Sequence, residues 1–528
     1  MPKPARSKST LGGVFALSVL ICGAIGVWGV LAPDMLAGAA HALTGFALTT
    51  LDWFFLMLCT SFVVLGAALA LGPYGKIKLG ADDDEPEFST LSWIAMLFAG
   101  GMGAGLLFWG PAEPIYHFTD PPGIEGGTSE AARLAMVLTN LHWGLHAWSI
   151  YAVCALVIAY FVFRRNAPGL ISTPIRYAFR GRLVGPLATA ADTLGVVAVI
   201  LGLAGSLAMG TLQVRAGLGE VAGVPPTQWV SILIVSVLAV CFFISASTGL
   251  GQGIKILSNL NMAIAVAIML FILFVGPTQF ILETFTTTLG DYLNNLPAMS
   301  FRLYPFEDLT DWTAGWTLTY LIWWLAWGPF VGVFIARISR GRTIREFMLG
   351  VVLIPSLFSM LWFATFGGAG IFVELQGSGG LADLVYDDVT KALFALFDYL
   401  PLAQLLSSAA LVLIFIFLVT SADSGTFVVS MMSSKGTLDP STGVKLIWAL
   451  IILAITIATL LSGSVEVAKT LAVTGAIPFA LVLLLQIVAF LRTLREEERP
   501  LAAAAETAIA ANAATNTSAA TAAVAERR

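Results

Sequence analysis

Charge is scarce in this chain. Only 11% of its 528 residues are Asp, Glu, Lys or Arg, against about 25% in an average soluble domain. That shortage excludes a soluble enzyme and a disordered chain, which both need polar surface. Positive charge is not in excess either. Lys and Arg number 27 against 32 Asp and Glu, a net charge of −5, so no basic field draws the chain to nucleic acid. Cysteine is rare. Cys22, Cys59, Cys154 and Cys241 sit singly in apolar runs, with no Cys-x-x-Cys pair. A disulfide framework and a zinc site are both excluded on that spacing. Of the four histidines, His142 and His146 alone share an i,i+4 spacing. No third ligand follows in sequence, so the pair reads as polar groups near a helix end rather than a metal centre. No nucleophile–base pair stands out, and the chain is not expected to be an enzyme.

What is abundant is apolar sequence, 58% of the chain. A membrane-crossing helix needs about 20 mostly apolar residues. Twelve runs qualify: 13–32, 51–71, 91–110, 142–163, 187–212, 228–248, 258–278, 315–336, 347–367, 402–424, 444–463 and 472–492. The expectation is an all-α integral membrane protein with 12 transmembrane helices. Lys3, Arg6 and Lys8 give the N-terminus a signal-like start. The run behind them is long enough to span, so it reads as the first helix rather than a cleaved peptide. Twelve spans also sort the charge. Arg164, Arg165, Arg176, Arg180, Arg182, Arg337, Arg340, Arg342 and Arg345 all fall on one side, together with both tails. The other side holds only Arg133, Arg215, Arg302, Lys391 and Lys469. The positive side faces the cytoplasm, which puts both termini inside and the chain in the plasma (inner) membrane. The tail after Arg492 turns polar, then Ala- and Thr-rich, a composition that predicts disorder. It lacks the basic run that contact with anionic lipid requires, so activation by salt through this tail is not expected.

Two runs are unusual. The third places Gly100, Gly101, Gly103 and Gly105 within six residues, each weakening a helix by about 1 kcal/mol. The eighth carries Trp327-Gly328-Pro329, matching Trp109-Gly110-Pro111 in the third. These runs open two successive blocks of five helices. Interrupted segments at corresponding positions of two halves point to a transporter's binding site. Between the blocks, residues 280–300 are too polar to span and read as an amphipathic helix on the outer surface.

Tryptophan clusters. Trp312, Trp316, Trp323, Trp324 and Trp327 crowd one stretch, and Trp143, Trp148 and Tyr151 form a second group. An interfacial belt accounts for Trp28, Trp53, Trp93, Trp229 and Trp448, near helix ends. It accounts poorly for Trp323, Trp324 and Trp327, which lie towards mid-span. Aromatic faces there suit a quaternary ammonium. That cation has no N–H to donate, so ring quadrupoles hold it, at about 2 kcal/mol or more when desolvated. The glycine stretch lets backbone N–H groups approach a carboxylate. One cationic and one anionic subsite imply a zwitterion.

At these residues the chain resembles the betaine/choline/carnitine transporter family. The resemblance rests on Trp323 to Phe347 and on Gly101, Gly103 and Gly105 followed by Phe108-Trp109-Gly110-Pro111-Ala112-Glu113-Pro114. It covers roughly residues 10–495. It implies a LeuT-like five-plus-five inverted repeat preceded by two extra helices, in a homotrimer embedded in lipid. The divisions are then 1–12 (N-tail), 13–90 (two extra helices), 91–279 (first repeat), 280–314 (linker helix and loop), 315–492 (second repeat) and 493–528 (C-tail). The family's aromatic box falls on Trp143, Trp148, Tyr151, Trp323 and Trp324, with Trp327 on its cytoplasmic side. The substrate-binding glycine segment falls on Gly101, Met102, Gly103, Ala104 and Gly105. Choline carriers of the family tend to place Asp where Gly105 stands, so Gly105 points to glycine betaine or another zwitterion, such as dimethylsulfoniopropionate.

The resemblance also implies a sodium site made by carbonyls of Ala99, Met102 and Phe417 and hydroxyls of Thr420 and Ser421. Oxygen ligands suit that hard cation. Sodium-independent exchangers of the family carry Arg where this chain has Met262, which favours sodium-coupled symport over exchange. The stretch Gly202 to Ser206 lacks the Thr of the family's second sodium site, and that site cannot be placed. The alternatives are a sodium-independent exchanger and a choline transporter. Three intramembrane acids stand out. Asp192 reads as an N-cap, Asp423 as a cap or a cation-path residue at a helix end, and Glu113 as a group that stabilises the break in the third helix.

Overall fold

The computed structural model describes residues 12–101, 103–248 and 251–497, and the side chains of 98–101, 245–248 and 251–257 are outside that description. Among the described residues the chain is all helix, without a strand. α1 (Gly13–Leu31), α2 (Pro33–Thr50) and α3 (Asp52–Leu71) open it. The third expected span is two pieces, α4 (Thr90–Gly101) and α5 (Ala104–Thr119), and so is the fourth, α6 (Ser129–Trp143) and α7 (Leu145–Ala159). Then come α8 (Thr173–Ala178), α9 (Val184–Ala222), α10 (Gln228–Thr248), α11 (Gly251–Val275) and α12 (Thr278–Met299). A single turn, α13 (Thr310–Thr313), leads through π-helical residues Ala314–Leu318 into α14 (Thr319–Arg337), followed by α15 (Ile344–Leu375). Two short helices, α16 (Leu381–Asp387) and α17 (Ala392–Asp398), precede α18 (Ala403–Ser433) and α19 (Thr442–Leu461). The last, α20 (Val465–Thr474), continues past Gly475 to Glu497.

Among the described residues, ten helical segments are long and apolar enough to cross a membrane. The other two expected spans are the divided α4–α5 and α10, whose apolar part is the shorter stretch Gln228–Ile244. The helices overrun their apolar cores. Thr128 starts α6 by accepting the Ala131 N–H, well before the apolar run at 142. Thr343 and Glu346 form a capping box that starts α15. α9 runs 39 residues and is buried along most of its length, against α18 and α20. α7 packs against α14, and both are buried around the centre, whereas α1 keeps most of its surface outward.

Several expectations are corrected here. No break occurs at Trp327-Gly328-Pro329, where α14 runs through Pro329. Its glycines serve packing instead: a Cβ on Gly328 would lie 3.0 Å from the Cys154 sulfur, and one on Gly332 3.2 Å from the Ala155 nitrogen. Small residues let membrane helices approach in this way. Asp192 is not an N-cap, because α9 begins at Val184 and the Asp192 carboxylate binds the Ser172 N–H and hydroxyl at 2.8 and 2.7 Å. Asp423 is not at a helix end, because α18 continues to Ser433. Trp93 and Trp448 are not in the interfacial belt. Both are buried, donating to Ser339 and Ser433, while Trp28, Trp53 and Trp229 are exposed. Lys469 is not in a loop. It is buried in α20, because that helix starts before its apolar run.

Candidate functional site

Trp316 in the π-helical turn and Tyr320, Trp323, Trp324 and Trp327 in α14 follow one another at helical spacing. With 3.6 residues per turn they form one stripe. That stripe faces α7 and the end of α6, which carry Trp148, Tyr151 and Trp143. The rings meet: Trp143 and Trp324 lie 4.9 Å apart at 72°, Tyr151 and Trp324 5.8 Å apart at 80°, and Trp148 and Tyr151 5.8 Å apart at 83°. Tyr320 joins them, 5.6 Å from Trp143 and 6.2 Å from both Trp323 and Trp324. A cavity opens between these rings. Trp143, Trp148, Tyr151, Trp323, Trp324 and Trp327 all line it, as do Gly103, Ala104 and Gly105. Gly101 lies at the end of α4 with its surroundings undescribed, and Met102 lies outside the described residues.

The interruption between α4 and α5 is what brings backbone to this cavity. Gly103 is extended, at φ −119 and ψ −175, immediately before α5 begins. While the Leu106 N–H donates to the Gly103 carbonyl at 3.2 Å, the N–H groups of Ala104 and Gly105 therefore have no partner within α5. They carry the positive end of a helix dipole into a cavity lined by ring faces. A Cβ on Gly105 would stand 3.2 Å from the Trp143 ring, so any larger residue there presses on the cage.

Trp143 is anchored from behind. Its indole N–H donates to Glu113 Oε2 at 2.6 Å. Glu113 Oε1 lies 2.6 Å from His142 Nδ1 and 3.4 Å from His117 Nε2. His142 Nε2 is 3.0 Å from the Thr317 hydroxyl, and its ring stacks on Tyr320 at 5.0 Å and 8°. All three of Glu113, His117 and His142 are fully buried. Glu113 therefore does not stabilise the helix break, ten residues away by sequence number; it ties α5 to α6. Its donor atoms and those of His117 and His142 lie within 4.8 Å of one another. Both carboxylate oxygens lie within hydrogen-bond distance of a ring nitrogen, so the carboxylate is satisfied, whereas His117 Nδ1 is buried without a partner. His146, beyond the break at Gly144, takes no part. The Trp324 indole is fixed too, donating to the His142 carbonyl at 2.7 Å.

Sequence reasoning missed Tyr320, His117 and the role of Glu113. The helical period of the Trp stripe carries Tyr320 in the same face, and Glu113 and His117 are an i,i+4 pair. Next to the cage, Trp109 and Trp316 hold the protein's own cation, with Lys469 Nζ 5.5 and 5.0 Å from their ring centroids.

Of the expected sodium ligands, Ser421 lines the cavity. The Thr420 hydroxyl donates within its own helix, to the carbonyls of Ile416 and Phe417 at 3.0 and 3.1 Å. Its oxygen keeps lone pairs for another partner. Ala99 lies in the last turn of α4, where side chains are undescribed, and Met102 lies outside the described residues.

Residues 13–499 match the family model described as BCCT, betaine/carnitine/choline family transporter. Among curated proteins, the chain is 42% identical over 491 residues to the glycine betaine transporter OpuD of Bacillus subtilis, covering 93% of this chain and 95% of that one. It is likewise 42% identical over 499 residues to an ectoine/hydroxyectoine transporter of Virgibacillus pantothenticus, covering 93% and 98%. A glycine betaine transporter of Acinetobacter baylyi is 37% identical over 483 residues, 91% of this chain and 73% of that one.

Proposed function

Because the chain belongs to the betaine/carnitine/choline family of membrane transporters, we propose that it imports glycine betaine or a close zwitterionic onium compound by symport with sodium. One observation carries the reading: rings from α6, α7 and α14 and the unpaired start of α5 face the same cavity. The rings suit a methylated cation and the helix start suits a carboxylate. Gly105 supports a zwitterion over choline, since the site supplies no carboxylate at that position for a substrate that lacks its own. Two of the similar proteins are named glycine betaine transporters and one an ectoine/hydroxyectoine transporter, which agrees with that substrate class.

The sodium ion is cargo in this reading. It sits between the broken third span and α18, held by carbonyls of Ala99, Met102 and Phe417 and hydroxyls of Thr420 and Ser421. Oxygen donors alone suit it. Binding of the ion at the helix break and of the onium beside it couples the two sites through one backbone segment. The two blocks of five helices, 91–279 and 315–492, then move against one another as halves of an inverted repeat, in a homotrimer with both termini in the cytoplasm.

The deciding experiment is uptake of radiolabelled glycine betaine into proteoliposomes, with and without an inward sodium gradient, competed by choline, carnitine and dimethylsulfoniopropionate. Sodium-dependent accumulation blocked by the zwitterions and not by choline is expected. Uptake that ignores sodium and requires substrate inside would make the protein an exchanger.

A further inference from the structure

Among the polar side chains that line the aromatic cavity, that of Gln213 is not explained by the cage. On α9, Ser206, Met209, Gly210 and Gln213 all line it. Their spacing of i, i+3, i+4 and i+7 is one face of a helix. α9 cannot rotate that face away. Gly210 packs so closely on α18 that a Cβ there would lie 2.3 Å from the Leu418 side chain. Gln213, one turn further along, is therefore fixed on the cavity wall. It is 1% exposed, and its side-chain oxygen has no hydrogen-bond partner.

A buried acceptor without a partner is costly, by more than a satisfied one contributes. Such a group in a folded protein calls for an explanation, and a polar ligand is one. The rest of the α9 face offers nothing: the Ser206 hydroxyl is turned back onto the Gly202 carbonyl at 3.0 Å, and Leu203, Leu207 and Met209 are apolar. The rings opposite hold an onium through their faces and leave its anionic end to the start of α5 alone. A terminal amide brings two N–H donors to that end, and a half-turn about its last bond exchanges oxygen for N–H at the same point.

We propose that Gln213 is a specificity-determining residue that donates to the carboxylate of a zwitterionic substrate whose onium group sits in the cage. It shares that carboxylate with the first N–H groups of α5, one oxygen to each. This rests on the onium reading of the cavity. It adds that recognition of the anionic end comes from α9 as well as from the glycine segment.

The test separates the two ends of the substrate. Purified full-length protein is titrated by tryptophan fluorescence with glycine betaine, which has both ends, and with tetramethylammonium, which has only the cation. Gln213→Leu is expected to weaken glycine betaine about tenfold, the loss of one hydrogen bond to a charged group, and to leave tetramethylammonium unchanged. Gln213→Glu keeps the shape and reverses the preference: glycine betaine binding falls further, while choline gains. Equal losses for both ligands would mark Gln213 as structural and overturn the proposal. So would unchanged affinity for both. Should Gln213→Leu fail to fold, the betaine-to-choline ratio of Gln213→Glu decides alone, and an unchanged ratio overturns the proposal. If the wild-type protein bound none of these onium compounds, the proposed function itself would fail, a result distinct from either of those.

Discussion

Trp143 is held at two points, by the Glu113 carboxylate at its indole N–H and by ring contacts to Trp324 and Tyr320. A ring fixed in this way needs no ordering when a cation arrives, and pre-organisation of that kind raises affinity. Hydrogen bonds to a charged partner are worth about 1.5–3 kcal/mol. Glu113→Gln keeps the shape and loses the charge, so the substrate KM is expected to rise about tenfold with the protein still folded. An unchanged KM would mean that packing alone orients Trp143. Within the cage, Trp324 touches both Trp143 and Tyr151. Trp324→Ala should therefore remove most substrate affinity, whereas Trp53→Ala, on an exposed outer position, should not. Binding titrations of the two variants side by side check this, and equal effects would sink the cage. Single residues were the most readable part of the sequence where they form a stripe. Trp323, Trp324 and Trp327 stand out by composition alone. Glu113 does not, because beyond the i,i+4 pair with His117 its partners His142 and Trp143 come from another helix, and nothing in one sequence pairs them with it.

A helix break is legible when several glycines coincide and illegible when one glycine suffices. The run Gly100 to Gly105 announced the interruption before α5. Gly144 did not announce the one between α6 and α7, although its φ of −97 and ψ of −128 stop the helix there. The reverse error occurred at Gly328-Pro329, where glycine admits the neighbouring α7 and proline sits inside an unbroken helix. Gly and Pro thus mark either a break or a close contact, and only the partner helix decides which. In the proposed sodium coupling the divided third span is the shared element, because α5 packs on both α6 and α18. Thr420 bonds to two carbonyls of α18 and keeps its oxygen lone pairs free, and Ser421 reaches the cavity. The double variant Thr420→Ala with Ser421→Ala should raise the sodium concentration for half-maximal uptake by about tenfold or more. The loss of two oxygen ligands from a hard cation accounts for that size. Uptake measured across a sodium series checks it, and an unaltered sodium curve would place the ion elsewhere.

At the scale of the whole molecule, orientation follows from charge rather than from any contact. Arg164 and Arg165 illustrate this. They bind Glu497 at the end of the last helix, and Arg164 also binds Asp82 in the segment after α3. Three stretches far apart in sequence thus share one face, which the distribution of Lys and Arg assigns to the cytoplasm. The opposite face carries α12, whose Asp291 pairs with Arg133 of α6 at 2.8 Å. Loop charge predicts this sidedness and polarity predicts α12, but neither shows that Arg164 and Arg165 meet Glu497. Labelling tests the assignment directly. The native cysteines give little background, since Cys22, Cys59 and Cys154 are buried and Cys241 is partly so. A cysteine at Ala81, exposed beside Asp82, should resist a membrane-impermeant maleimide in intact cells and react after lysis. One at Asn294, exposed on α12, should react in intact cells. The reverse pattern would invert the protein in the membrane. It would also reverse the direction of the proposed import, because the side on which sodium is abundant would then face the other end of the cavity.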